Sequence, residues 1–359
     1  MKILLVGEAS RVHRNLKIGL LALGAECHHV TQSDSTSWRE FDDTFSPAYS
    51  GILGGLARNI APFLKLSKLD DYDVINFTNT ITAVHGKYTK YLDIPWFRRK
   101  TKLMSYYALG CDEIGLIRQN EKLPYKPCET CLASKDTLSR DCDLMFNPRY
   151  EKSQEITKKY FDFGACSMIE YGHVEEIFGQ NFSRIQFPVD ISRIPFNPSK
   201  SRSSVNIVHT PTRRGFKGTN TVLQAIEILK NRRNDFSFNL VEGLSYEEYV
   251  TRMAEADVVV DQIYSQSPGM NGLEMMAAGK VVLTGATVLG KSYFGFMNDS
   301  PAFDAPPDAV LLADQLDRIL DRKNEFGVLA ERGRSYVEMN HSLKGVAEKF
   351  LKEWIARIE

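Results

Sequence analysis

SQSPGMNGLEMMAAGK, residues 265–280, lies between two short apolar runs, Asp257-Val258-Val259-Val260-Asp261 and Val281-Val282-Leu283. Uninterrupted runs of this kind read as parallel strands buried on both faces. The stretch between them starts as a loop of small residues and continues as a helix carrying one acid, Glu274. Strand, loop, helix and strand make a βαβ unit, the building block of an α/β fold with a parallel sheet.

The alternation continues in both directions. Upstream, Val205 to His209 reads as a strand, and Thr210 to Gly218 as a loop. Val222, Ala225, Ile226 and Leu229 then recur at helical spacing, which predicts a helix from Thr219 to about Lys230. Phe236, Phe238 and Leu240 alternate as in a strand, and Ser245-Tyr246-Glu247-Glu248 reads as a capping box opening the next helix. Downstream, Gln315 to Leu320 and Val346 to Ile358 read as helical. At the amino end Lys2 to Val6 forms an apolar run ending at Gly7. A loop to His13 leads into a helix with Leu16, Leu20 and Leu23 on one face and Gly24 as its stop. Further strands are predicted at Cys27–Val30, Asp73–Phe77 and Lys102–Tyr107. Between these two series, Pro188, Pro195, Pro198 and a serine-rich tail to Ser204 mark an interdomain hinge. A chain of 359 residues is long enough for two such lobes.

Composition excludes several functions. Lys plus Arg equals Asp plus Glu at 45 each, so there is no global positive field to hold nucleic acid, and no nucleic-acid partner is expected. No window approaches the roughly 18 apolar residues of a bilayer span. The amino terminus reaches Glu8 at once and reads as a buried strand rather than a signal peptide, which points to the cytoplasm. Cys128 and Cys131 have the spacing of a zinc knuckle, with Cys111 and Cys142 nearby at irregular distances. Free thiols, a structural zinc and a disulfide all remain open for them. His85 to Tyr91 and Trp96 to Lys100 interleave cations with aromatics, as either an exposed crossover or a patch facing lipid headgroups.

The loops carry the chemistry. Gly7-Glu8-Ala9-Ser10-Arg11-Val12 lacks the later glycines of a dinucleotide turn. Gly285 to Ser292 satisfies the phosphate-loop pattern GxxxxGK[ST], but no long helix is predicted after it. His209 to Gly218 is more informative, because Arg213, Arg214 and Lys217 surround glycines immediately before a helix. Backbone donors and fixed cations in that arrangement can stabilise phosphate oxygens. A solvated basic loop is the alternative.

His209 to Thr219, Ala256 to Gln262 and Asn271 to Val282, in that order and spacing, resemble the donor-binding half of GT-B glycosyltransferases. They are most similar to the retaining, family 4-like group (glycosyl transferases group 1) that includes many polysaccharide and lipopolysaccharide enzymes. The likeness covers Val205 to Thr284, about a fifth of the chain. It implies a GT-B fold: two Rossmann-like doubly wound domains facing a central cleft, with residues 1–195 on the acceptor side and 203–340 binding the donor. A final helix, 341–359, would return to the first domain.

The implied function is transfer of a sugar, with retention, from a nucleotide-diphosphate sugar to a saccharide or lipid-linked acceptor in polysaccharide or glycoconjugate biosynthesis. No cofactor or metal is required, and a peripheral contact with the inner face of the membrane fits a lipid-linked acceptor. Carried over by position, Arg213 or Arg214 and Lys217 would grip the diphosphate. Gly269, Met270, Asn271 and Gly272 would bring backbone N–H groups near phosphate and sugar. Glu274 would accept hydrogen bonds from both ribose hydroxyls, since one carboxylate offers two acceptors to a vicinal diol. The family commonly has a second glutamate eight positions before Glu274, but here that position is Gln266. An amide can still orient a sugar hydroxyl but gives less support to a cationic transition state. Asp112, after Gly110 and Cys111, would orient an acceptor or sugar hydroxyl; the alternative is a loop-capping Asp. His13 and His85 follow strands and could reach the cleft. A nonhydrolysing sugar-nucleotide epimerase and a non-catalytic nucleotide-sugar-binding partner share the implied fold and remain as alternatives.

Overall fold

A computed structural model describes residues 1–31, 41–45, 60, 62–78, 91–110, 123–125, 130, 149–199, 203–243, 246–294 and 301–359. Among the described residues the first lobe is a seven-stranded, wholly parallel sheet in the order β3-β2-β1-β4-β5-β6-β7. Its strands are β1 (Lys2–Val6), β2 (Glu26–Thr31), β3 (Asp43–Thr44), β4 (Tyr72–Thr78), β5 (Thr101–Ala108), β6 (Phe163–Cys166) and β7 (Phe182–Arg184). The second lobe has, among the described residues, five parallel strands in the order β12-β11-β10-β8-β9. They are β8 (Val205–His209), β9 (Phe236–Leu240), β10 (Val258–Val260), β11 (Val281–Thr284) and β12 (Phe303–Asp304).

Both sheets reverse their winding beside their first strand, between β1 and β4 in one and between β8 and β10 in the other. Loops diverge at such switch points and leave a crevice beyond the carboxyl ends of the strands, where ligands of doubly wound sheets bind. The loops after β1, β8 and β10 are therefore the ones to inspect.

The helices that matter for the site are α1 (Val12–Ala22), α2 (Arg214–Lys217), α3 (Thr219–Lys230), α4 (Tyr246–Glu255), α5 (Met270–Ala277), α6 (Val288–Phe294), α7 (Ala309–Asp321), α8 (Phe326–His341) and α9 (Leu343–Ile358). The supposed loop from Thr210 to Gly218 contains α2, a single turn that ends at Gly218 with φ +74°. Helix α8 has no counterpart among the sequence expectations, although its buried Phe326, Leu329, Ala330, Gly333, Tyr336 and Val337 follow helical spacing. Ser245, the expected cap of α4, lies outside the described residues.

The chain crosses between lobes twice. At the first crossing Asn197 and Ser199 donate backbone N–H groups to the carbonyls of Ala278 and Gly279, both at 3.0 Å. Arg334 reaches both sides of this junction, donating to the carbonyls of Ile194 at 3.0 Å and Ala277 at 2.9 Å. At the second crossing Val189 donates to the His341 carbonyl at 2.8 Å, after which α9 packs on α1 of the first lobe. Gly19 makes that packing close, because a Cβ there would stand 2.2 Å from the Leu343 carbonyl oxygen. Trp354 of α9 is fully buried and donates its indole N–H to the Ser105 hydroxyl at 3.0 Å.

Replacing Trp354 by Ala should leave a large cavity and an unpaired Ser105, at a cost of about 3–5 kcal/mol. Met339→Ala, at a site where the side chain is mostly exposed, should stay within about 0.5 kcal/mol. Urea denaturation of the two variants checks the contrast.

Candidate functional site

The second lobe's switch point is organised around one carboxylate. Asp261 follows β10 directly and is buried. Its Oδ1 accepts from Lys217 Nζ at 2.6 Å and Asn271 Nδ2 at 2.9 Å, and its Oδ2 accepts from the Thr284 hydroxyl at 3.2 Å. Burial alone would raise the carboxyl pKa. The Lys217 ammonium, with the hydrogen bonds from Lys217, Asn271 and Thr284, outweighs it and holds Asp261 below the usual carboxylate value. Gly272 lets α5 come close, since a Cβ there would lie only 3.2 Å from Asp261 Oδ2.

Beside Asp261, the buried His209 has Nδ1 2.7 Å from the Val260 carbonyl and Nε2 3.0 Å from the Thr219 hydroxyl. Nδ1 therefore donates and Nε2 accepts, the pattern of a neutral imidazole. Burial pushes its pKa down to about 4.

Lys217 also lies 3.2 Å from Gln262 Oε1 and forms part of the wall of an interlobe cavity of about 260 Å3. Arg213, Thr212, Phe216, Gly269, Met270 and Asn271 belong to the same second-lobe wall. The Arg213 guanidinium sits over the Phe216 ring, 4.4 Å from its centroid. Ser10, Leu109, Gly110, Met168 and Tyr171 face them from the first lobe.

Glu274 belongs to an adjoining cavity of about 190 Å3, bordered also by Arg11, Arg14, Asp190 and Met253. There Glu274 forms an interlobe ion pair with Arg11. Burial raises its carboxyl pKa against the opposing pull of Arg11. Ser10 and Arg11 both have left-handed backbones, φ 52° and 65°, an unfavourable conformation for non-glycine residues that turns this loop toward the second lobe. Tyr249 lies on the walls of both cavities and donates its hydroxyl to Asn271 Oδ1 at 2.5 Å.

The structure thus brings Arg213, Lys217, Gly269, Met270 and Asn271 together and sets Glu274 next door. Arg214 turns away: its Nε donates to Glu242 at 2.8 Å, and it lines neither cavity. Gln266, expected to orient a sugar hydroxyl, is buried; its Oε1 accepts from the Thr287 hydroxyl at 2.8 Å, and it lines neither cavity. The backbone of its loop is packed closely from behind. A Cβ at Gly285 would stand 2.3 Å from the Ser265 carbonyl oxygen, and one at Gly290 1.7 Å from that of Gln266. The glycines of the phosphate-loop lookalike are thereby explained, and its Gly290, Lys291 and Ser292 lie within α6.

His13 corrects another expectation. It lies inside α1, fully buried, with Nδ1 2.9 Å from the Gly7 carbonyl. Asp112, His85, Cys111, Cys128, Cys131 and Cys142 fall outside the described residues. In the part of the aromatic and basic patch that is described, Trp96 packs on Phe63, Lys100 pairs with Asp71 at 3.3 Å, and Arg98 pairs with Asp162 at 3.5 Å. Tyr249 and the Arg11 pair went unnoticed in the sequence. Neither belongs to a motif, and only the missing glycines around Arg11 hinted that a side chain fills that turn.

No family model matches the chain, and no curated protein matches it. Among solved structures, sucrose-phosphate synthase from Thermosynechococcus elongatus superposes with a TM-score of 0.65 at 14% identity, covering 99% of this chain and 98% of that one. Anabaena Alr3699/HepE in complex with UDP-glucose gives 0.61 at 12% identity, covering 99% and 100%. The catalytic domain of Starch Synthase IV from Arabidopsis thaliana, bound to ADP and acarbose, gives 0.63 at 10% identity, covering 99% of each chain. The two-lobed architecture is the GT-B fold of these glycosyltransferases. No helix among the described residues is long and apolar enough to cross a membrane.

Removing Lys217 strands a buried carboxylate. Lys217→Met should cost about 3–5 kcal/mol at neutral pH. Without the ammonium, burial raises the Asp261 pKa, so the folded variant takes up a proton more readily than its unfolded chain. Its deficit against the native protein therefore narrows as the pH falls through the acid range. Chemical denaturation at pH 7 and pH 4.5 measures the gap. His209 has the opposite linkage: its folded pKa of about 4 lies below the unfolded 6.5. Stability is full above pH 6.5 and falls as the pH drops toward 4, by about 3 kcal/mol in all at 1.36 kcal/mol per unit. His209→Gln should flatten that limb of the curve.

Proposed function

We propose that the chain is a glycosyltransferase that moves a sugar, with retention, from a nucleotide-diphosphate sugar to a saccharide or lipid-linked acceptor in polysaccharide or glycoconjugate biosynthesis. Residues 203–340 bind the donor, residues 1–195 present the acceptor, and 341–359 tie the two together. One observation carries this reading: an interlobe cavity at the switch points of two facing doubly wound sheets, with Lys217, Arg213 and the turn at Gly269 to Asn271 on one wall.

The diphosphate occupies the larger cavity, where Arg213 and Lys217 offset the charge that grows on the leaving group, so no divalent ion is required. The nucleoside extends past Tyr249 into the smaller cavity, where Glu274 exchanges Arg11 for the ribose hydroxyls. Gln266 acts from behind the loop, holding its shape rather than touching sugar. Asp112, just beyond Gly110, orients an acceptor hydroxyl. Closure of the lobes excludes water that would hydrolyse the activated donor. The bound UDP-glucose of Alr3699/HepE supports a nucleotide sugar as the donor class.

Thermal unfolding with UDP-, GDP-, ADP- and CMP-sugars tests the reading. A true donor at a hundred times its Kd stabilises the native state by about 2.7 kcal/mol. Arg213→Ala and Glu274→Ala should each weaken binding of that donor at least tenfold, while Arg214→Ala stays within twofold. Equal losses at Arg213 and Arg214 would contradict the assignment of the cavity wall. Conversion of the donor with no acceptor present would indicate an epimerase instead.

A further inference from the structure

A second carboxylate reaches across the cleft away from both cavities. Glu170 lies in a 3-10 turn, Ile169–Tyr171, of the first lobe and is only 5% exposed. Its Oε1 accepts from the backbone N–H groups of Gln266 at 2.6 Å and Ser267 at 3.1 Å, and from the Ser265 hydroxyl. Its Oε2 is buried and has no hydrogen-bond partner among the described residues. Successive backbone N–H groups converging on one point form an anion-binding nest, and here the first lobe supplies the anion. Bonds to an ionised acceptor are about twice as strong as neutral ones.

The turn and the loop each continue into the larger cavity. Met168 and Tyr171, which flank Glu170 in sequence, stand on its first-lobe wall; Gly269, Met270 and Asn271, which follow the clamped loop, stand on the opposite wall. The loop is also fixed from its own lobe. Gln262 Nε2 donates to the Ser267 carbonyl at 3.0 Å, and Gly285 and Gly290 press on its backbone. Ser265 to Ser267 are thus held from both lobes, directly before the residues of the cavity wall. Two further side-chain contacts across the cleft reach helices: Arg11 meets Glu274 of α5, and Cys166 Sγ lies 3.0 Å from the Tyr293 hydroxyl of α6.

We propose that Glu170 is a positioning residue: its carboxylate clamps the 265–267 loop and sets the donor wall of the cleft against the acceptor wall. The positioning role rests on the glycosyltransferase reading; the clamp itself does not. Because the donor is held by the second lobe, loss of the clamp impairs transfer more than donor binding.

The test compares Glu170→Gln with the native protein by two measurements. The first, amide hydrogen exchange at Gln266 and Ser267, needs no activity, and exchange should rise at least tenfold in the variant. The second is transfer from the nucleotide sugar that stabilises the protein most, to a panel of mono- and disaccharides, or to water where none accepts. Here kcat should fall at least tenfold while the donor KM stays within threefold. Ser265→Ala removes one of the three donors and should shift both readouts the same way by about threefold, which preserves the comparison if Glu170→Gln fails to fold. Exchange unchanged within twofold overturns the clamp whatever the activity. Faster exchange with unchanged kcat, or a fall in donor affinity equal to the fall in kcat, overturns the positioning role. Faster exchange in a protein whose native form transfers no sugar supports the clamp and overturns the function it was taken to serve.

Discussion

The buried carboxylate of Asp261 is the constraint from which the second lobe's site follows. A charge removed from water must be paired and hydrogen-bonded, or it neutralises itself. Asp261 meets that demand with donors from three elements: Lys217 at the end of α2, Asn271 in the first turn of α5, and Thr284 at the end of β11. One point beneath the cavity thereby fixes the basic loop after β8, the helix start after β10 and the next strand. Asn271 passes the constraint on to Tyr249, which separates the two cavities. Lys217 consequently presents a fixed positive charge to the cavity wall rather than a mobile side chain, the preorganised electrostatics on which the proposed transfer would draw.

The lobes meet through contacts of different character. At the first crossing, backbone hydrogen bonds and the Arg334 bridge join residues 194–199 to the end of α5 and Gly279. At the cleft mouth the contacts are ionic or carboxylate to backbone, formed by Arg11 with Glu274 and by Glu170 with the 265–267 loop. Polar contacts of this second kind can exchange one partner for another, ligand oxygens included. Backbone bonds cannot do so without stranding groups that need partners.

Much of this was legible in the chain. Strands β8 and β9 and helix α3 fall where apolar runs and helical spacing place them. The basic loop and Glu274 stand at the carboxyl edge of the second sheet, as their positions after β8 and β10 require. Less was legible in the stretch between. Its glycines read as room for a ligand, yet Gly272 makes room for Asp261, and Gly285 and Gly290 downstream make room for the loop itself. Adjacent Arg213 and Arg214 are equivalent by composition. In the fold one stacks on Phe216 in the cavity and the other pairs with Glu242 outside it. Gln266 could be recognised as a departure, but not as a buried residue whose amide oxygen is taken up by Thr287.

The sequence by itself determined the α/β alternation, the two series of elements and the order of the chemical motifs. Each of these is set by spacing within a few tens of residues, through hydrophobic periodicity and turn chemistry. Only the tertiary structure decided which side chains meet. Glu170 and Ser265 are 95 positions apart, and Arg11 and Glu274 are 263 apart. Such pairs form because the two lobes pack against one another, and no local pattern encodes contacts between residues so far apart in the chain.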